Sequence, residues 1–315
     1  PRAGGLTLAG LAIPSSGGIL LDLKRMNKII DVNPSSMYAV VESGVTTGLL
    51  KTFLENNFPE LQFSVPHAPP IVSVIANAMV YGAGHVCLKY GTNSDMINGL
   101  EVVLPTGELL RTGVCAVNNR SWFSKYCLPD FAGLFLGWFG ATGIITKCAI
   151  ELWPRPAIRD AVYYAIDEVD DMVEILLRLT KSEVADDIYV NSWTGTSLER
   201  YDLTERPKGL SELYLDVILS ARSREEFDSK RKIVEQIVEE EQRNGRRIKV
   251  HSPPQSLREY ILLIPQPLQF MDLKKGGGSE YLGCYVPTEK VGVAYNEGVR
   301  IAKNHGFQYL QVIRP

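Results

Sequence analysis

Leu100-Glu101-Val102-Val103-Leu104-Pro105-Thr106-Gly107-Glu108-Leu109-Leu110-Arg111-Thr112 decides the fold class of the first half of this chain. Two short runs of strand-forming residues flank Pro105-Thr106-Gly107, and that proline–glycine punctuation predicts a hairpin. Working outward, Gly143–Lys147 and Ala149–Trp153 supply further strand material on the C-terminal side. On the N-terminal side, Gly18–Leu23 and Tyr38–Glu42 read as short strands around the turn-forming Asn33-Pro34-Ser35-Ser36. Thr46–Asn57, with Leu49, Leu50, Phe53 and Leu54 at helical spacing, predicts a helix. Many short strands broken by a helix and polar loops predict a mixed α+β domain.

Beyond Trp153-Pro154-Arg155-Pro156 the character of the chain changes. Residues 1–157 carry 21 charged residues and 17 glycines, against 48 and 10 in residues 158–315. A glycine-rich, charge-poor half favours close backbone approach, and a charge-rich half favours solvated helix faces. The two prolines at the change end the preceding element, so the expected boundary lies between 157 and 158. In the second half Ala161–Ile166, Leu213–Ser220 and Tyr281–Val286 read as strands. Residues 168–180, Arg224–Arg243 and Glu289–His305 read as helices, the last stopped by Gly306. This order predicts an antiparallel sheet with helices on one face.

The chain of 315 residues and 35.0 kDa is long enough for two ordinary domains. Its net charge of −3 supplies no positive field for a polyanion, which argues against a nucleic-acid partner. Cys87, Cys115, Cys127, Cys148 and Cys284 form no Cys-x-x-Cys pair and no Cys/His run of structural-zinc spacing. They read as free thiols of a reducing compartment, the cytoplasm. The apolar run Leu134–Ile145 is short and broken by glycine, so it predicts no membrane-spanning helix. Pro1 without an initiator methionine reads as the start of a piece cut from a longer chain.

Three stretches carry the residue types of a binding site. In Pro1-Arg2-Ala3-Gly4-Gly5-Leu6-Thr7, adjacent glycines let consecutive amides converge on an anion, although neither a Walker loop nor a dinucleotide fingerprint is present. Ser64–Gly91 interleaves small residues with Ser73, Asn77, His85 and Tyr90, a lining for a flat polar ligand. His67 and His85 have no acidic or thiol partner at metal-ligand spacing, so no metal is expected. Leu134–Thr146 combines aromatics, glycines and a β-branched run, as in a tight loop entering a sheet.

Taken in order, these stretches resemble the FAD-binding domain of the vanillyl-alcohol oxidase/p-cresol methylhydroxylase superfamily, which includes D-lactate and glycolate dehydrogenase-like flavoproteins. The likeness runs through Pro1–Gly5, Leu21–Ile30, Val40–Thr46, Lys89–Thr92, Gly99–Gly113 and Gly140–Thr146. It implies a p-cresol methylhydroxylase-type FAD-binding domain over 1–157, without its N-terminal subdomain, and an antiparallel-sheet cap with covering helices over 158–315. By resemblance, Arg2, Ala3, Gly4, Gly5, Leu6 and Thr7 form the pyrophosphate loop, with Ala3 where the family commonly has glycine. Ser73, Asn77, Gly82, Gly84, His85 and Tyr90 fall near FAD, and Gly143 and Ile145 against its adenosine part.

The implied activity is oxidation of a hydroxyl-bearing carbon by hydride transfer to flavin. Lys89-Tyr90-Gly91-Thr92 resembles the branch acting on 2-hydroxy acids, the reading carried forward. Asn77-Ala78-Met79 and Leu134–Lys147 resemble the branch that oxidises 4-hydroxybenzylic and phenolic alcohols. A non-catalytic flavin electron-transfer subunit is the third reading. No cysteine cluster is spaced for an iron–sulfur centre, so an electron-acceptor protein or complementary subunit is an expected partner, with peripheral membrane attachment through it and an oligomer as further expectations. Arg314, in the apolar run Val312-Ile313-Arg314-Pro315, is the expected contact for a substrate carboxylate.

Overall fold

The computed structural model describes residues 1–7, 10–126, 128–196, 205–265, 283–306, 312–313 and 315. Pro1–Arg155 form the body of one compact unit. Strands β1 (Ile29–Asn33) and β2 (Tyr38–Glu42) flank a turn in which Asn33 Oδ1 accepts the Ser36 amide at 2.9 Å. Helix α1 (Thr47–Asn57) follows, and its cap is Thr46, whose hydroxyl oxygen accepts the Leu49 amide at 3.2 Å. Next come β3 (Leu61–Gln62), α2 (Val74–Met79), α3 (Cys87–Tyr90), β4 (Ile97–Val103), β5 (Leu109–Arg111), β6 (Ile144–Glu151) and β7 (Trp153–Pro154). The main sheet runs β1-β2-β6-β4-β5, with antiparallel neighbours throughout.

Both faces of this sheet are covered, which explains the nearly unbroken apolar runs of β2 and β4. One face buries Ala39, Val41, Leu100, Val102, Cys148 and Ile150 with Leu50 and Leu54 of α1 and Ile75 and Ala78 of α2. The other packs Tyr38, Val40 and Ala149 on Cys115 and Trp122. The predicted hairpin is β4–β5, with Val103 opposite Leu109. Gly18–Leu23 is not a strand. Only Asp22 makes an isolated bridge, to Arg2, and the strand before the Asn33 turn begins at Ile29. Leu20 and Leu21 are partly exposed and supply no buried face for a sheet. The two strand runs after Gly143 are largely one strand, β6.

Gly44 fixes the approach to the first candidate loop. A Cβ there would lie 2.7 Å from the carbonyls of Leu23 and Lys24 and 2.8 Å from that of Met26. All three are backbone and cannot turn aside, and the Leu23 amide in turn donates to Arg2 O at 2.8 Å. Gly44→Ala should cost about 1–3 kcal/mol, read as a fall in Tm of several degrees by calorimetry. An unchanged Tm would contradict this packing.

Pro156–Leu263 form the body of a second unit, with later residues. It contains β8 (Ile158–Ile166), α4 (Val169–Ser182), β9 (Asp187–Ser192), α5 (Trp193–Thr196), β10 (Leu213–Ala221), α6 (Arg224–Arg243), β11 (Ile248–Val250), α7 (Gln255–Leu262), α8 (Val291–Asn304) and β12 (Val312–Ile313). The sheet order is β11-β8-β10-β9-β12, all antiparallel. Helix α6 begins at the Ser223 cap and buries Phe227, Val234 and Val238. Arg178 of α4 pairs with Glu240 and, at 2.8 Å, Glu241 of α6.

The helices do not all share one face. Alternation puts Tyr164 and Leu215 on one side, where Glu235 and Glu239 of α6 act on the Tyr164 hydroxyl, and Tyr163 and Ile218 on the other. There α7 packs Ile261 and Leu262 on Ala161, Tyr163, Tyr189 and Ile218. Gly283–Val286 are not in a strand, and Tyr281 lies outside the described residues. Helix α8 ends near Gly306, whose φ of +68° suits glycine. No described helix is long and apolar enough to cross a membrane.

Candidate functional site

The three candidate stretches converge in the first unit. Gly4 lies against the second: a Cβ on it would come within 3.0 Å of Ile71 O and of the Ser73 amide. The third reaches the first through Gly140, where a Cβ would stand 2.5 Å from the Pro1 ring. It reaches the second where the Gly137 amide donates to Met79 O at 2.9 Å.

In the loop itself, Gly5 adopts φ +71° and the Arg2 guanidinium folds over it. The Arg2 amide donates to Leu21 O at 2.8 Å, and Arg2 O accepts from Leu23. The amides of Ala3, Gly4 and Gly5 find no acceptor among the described residues. Consecutive unpaired amides beside an arginine are the donor types that bind an anion of phosphate type. Leu6 is half-buried and Thr7 exposed.

Ser73 caps α2. Its hydroxyl donates to Ser43 O at 2.7 Å and accepts from the Ala76 amide at 3.2 Å. Asn77, one turn on, accepts from Asn93 Nδ2 at 2.5 Å, and Gly82 joins them through its amide to Asn77 O and its carbonyl to the Asn93 amide. His85 Nδ1 faces the Val65 backbone, 3.0 Å from the amide and 3.3 Å from the carbonyl. Gly84 sits against Ser64, leaving no room for a side chain. Tyr90 stacks on Trp153, with ring centroids 3.8 Å apart and planes within 6°. Gly143 packs against Val102 and Val103. Ile145 turns into the core, and its carbonyl accepts the Ser43 hydroxyl.

Arg2, Gly4, Ser73, Asn77 and Gly82 are thus brought into one contiguous cluster, while Ile145 and Tyr90 have their side chains engaged elsewhere. Asn93 joins them without having stood out in the sequence, beside Ser64 at the start of the second stretch. Ser64 Oγ and Asn93 Oδ1 are buried without a partner among the described residues and border a cavity of about 10 Å³, room for one water. The polar run Thr92-Asn93-Ser94 is the signal that could have marked Asn93.

Cys115 and Cys148 are buried thiols, and burial pushes Cys115 up to about 11. Cys87 is half-buried and Cys284 exposed. Cys127 and Arg314 lie outside the described residues. Among the described residues no group of three His, Cys, Asp or Glu could hold a metal.

The chain is similar to known flavoproteins. A family model described as an FAD binding domain matches residues 1–113. The chain is 38% identical over 173 residues to the 4-cresol dehydrogenase [hydroxylating] flavoprotein subunit of Pseudomonas putida, covering 53% of this chain and 32% of that one. It is 30% identical over 173 residues to a glycolate oxidase subunit of Bacillus subtilis, covering 54% and 35%. The chain therefore spans about a third of the length of these relatives. A crystal structure of p-cresol methylhydroxylase with substrate bound superposes with a TM-score of 0.68 at 27% identity, over 82% of this chain and 55% of that chain.

Proposed function

With residues 1–113 an FAD-binding domain of the vanillyl-alcohol oxidase/p-cresol methylhydroxylase superfamily, we propose that the protein is an FAD-dependent oxidoreductase acting on the hydroxyl-bearing carbon of a 2-hydroxy acid. The observation that carries the cofactor half of this reading is the run of unpaired amides at Ala3, Gly4 and Gly5 beside Arg2. These residues would hold the pyrophosphate, with Ser73 and Asn77 shaping the adjoining wall. When bound, FAD supplies the two-electron acceptor. Residues 1–157 serve the cofactor in this reading, and 158–315 govern the choice of substrate. Likeness to relatives named glycolate oxidase and D-lactate dehydrogenase supports an acid substrate.

A second reading, oxidation of 4-hydroxybenzylic or phenolic alcohols, is favoured by the 38% identity to the 4-cresol enzyme's flavoprotein subunit. The word subunit in that name also supports a complementary electron-accepting chain as partner.

Denaturation of the purified protein should release FAD, identified by chromatography against standards. Release of FMN, or a bound nicotinamide cofactor, would overturn the reading. Dye-coupled turnover of D-lactate or glycolate in preference to 4-hydroxybenzyl alcohol should follow, and the reverse preference would move the assignment to the second reading.

A further inference from the structure

Ser43 stands where the main sheet of the first unit stops and the candidate loops begin. The ladder between β2 and β6 ends with Glu42 opposite Lys147. One residue on, Ser43 is 1% exposed and makes hydrogen bonds in two directions. Toward the sheet, its amide donates to Thr146 O at 3.2 Å and its hydroxyl donates to Ile145 O. Away from the sheet, its carbonyl accepts the Ser73 hydroxyl at 2.7 Å.

Each end of this link leads to a candidate stretch. Thr146 is the extra residue of a β-bulge, since Glu101 faces Lys147 while Val102 faces Ile145. A bulge disrupts the ladder and bends its strand, so buried carbonyls there need donors from elsewhere. Ser43 supplies two of them, and on the β4 side the Thr146 hydroxyl donates to Glu101 Oε1 at 3.0 Å. At the other end Ser73 caps α2, and Gly4 of the first loop lies against Ile71 and Ser73. The Val74 amide donates to Val45 O at 3.0 Å and the Thr47 amide to Val72 O at 2.8 Å, which joins the segment after Ser43 to the wall at 71–74. Ser43 then fastens that pair to β6. A buried carbonyl that loses its donor finds no water to replace it, so the backbone around it must shift.

We propose that Ser43 is a positioning residue for the cofactor. By tying the Thr146 bulge to the Ser73 cap, its hydroxyl fixes the wall on which Gly4 rests, and so the backbone that carries the Ala3–Gly5 amides. The inference rests on the placement of the pyrophosphate at those amides. The test uses FAD-loaded protein and Ser43→Ala, which removes the hydroxyl and leaves the backbone bonds. This variant should release FAD on dilution roughly 3- to 10-fold faster, the range for one lost hydrogen bond, read from the recovery of flavin fluorescence. The phosphorus NMR resonances of the bound pyrophosphate should move as well. Thr112→Val is the control, because Thr112 is also buried and its hydroxyl accepts the Leu100 amide at 3.1 Å, outside the three candidate stretches. It should lower Tm while leaving FAD release and the phosphorus resonances as in wild type. Since Ser43 works through the cap, Ser43→Ala combined with Ser73→Ala should release FAD more slowly than the product of the two single effects.

Wild-type release and phosphorus resonances in Ser43→Ala would overturn the inference and leave the pyrophosphate placement standing. Equal changes in Thr112→Val would overturn it too, since any loosening of the unit would then suffice, as would fully independent effects of Ser43→Ala and Ser73→Ala. Wild-type release from Gly5→Val would instead defeat the pyrophosphate placement, and the inference with it.

Discussion

Gly5→Val should strip most of the FAD from the protein, and Gly4→Val should do nearly the same. At φ +71° a β-branched side chain clashes with its own backbone, and the Arg2 guanidinium already occupies the space a Cβ would need. At Gly4 the obstruction is the backbone at Ile71 and Ser73, which a side-chain rotation cannot relieve. Either change displaces the backbone that carries the unpaired amides of Ala3–Gly5. We expect at least a tenfold weaker FAD affinity, measured by reconstituting apoprotein and by the flavin-to-protein absorbance ratio after desalting. Cys87→Ser and Cys115→Ser are the controls. Cys115 donates to Thr112 O at 2.9 Å, a bond that serine can also make. Equal flavin loss in all four variants would remove the case for a specific loop.

The second large effect concerns Asp216. It lies buried in the middle of β10, between Tyr163 and Tyr189, where its carboxylate accepts from Asn191 Nδ2 at 3.2 Å. Burial pushes its carboxyl up to about 8, and the Asn191 bond only partly opposes that. The unfolded chain ionises near the ordinary value of 3.8. Between these values the folded state holds a proton that the unfolded state has released, so stability falls as pH rises from about 4 to about 8 and levels off above. Each pKa unit is worth about 1.4 kcal/mol, which makes the span several kcal/mol. Asp216→Asn should flatten this slope and raise Tm at pH 7.5 relative to pH 5, compared with wild type. A variant whose Tm keeps the wild-type pH dependence would show that Asp216 is not the responsible group.

The elements most legible in the sequence are those whose signals are local. The β4–β5 hairpin is marked by Pro105-Thr106-Gly107, and α6 coincides with its predicted span, Arg224–Arg243, because apolar periodicity and charge frame it at both ends. Gly18–Leu23 fails as a strand because an apolar run looks like one whether or not a neighbour exists to bury it, and here Ile19 is 95% exposed. The glycines of the first loop are legible as an anion cradle, but their contact with Ile71–Ser73 and Gly140 is a tertiary fact no spacing encodes. Asn93 lies in a polar run, but the burial of its Oδ1 without a partner among the described residues is likewise a tertiary fact.

Strand β10 has a consequence for the life of the chain before it folds. Leu213-Tyr214-Leu215-Asp216-Val217-Ile218-Leu219 is a run of strong strand formers with one charged residue at its centre. In the native sheet it is the middle strand, paired on both sides and buried, so it presents no edge to another molecule. On a nascent or unfolded chain the same run is a template for cross-β stacking, and the ionised Asp216 is the gatekeeper that repels a second copy. The acidic group whose burial burdens the folded state at neutral pH therefore protects the unfolded one in its ionised form. Asp216→Asn should yield a more stable protein that aggregates faster on refolding from denaturant, because a neutral amide at this position can join the very ladder that the carboxylate forbids.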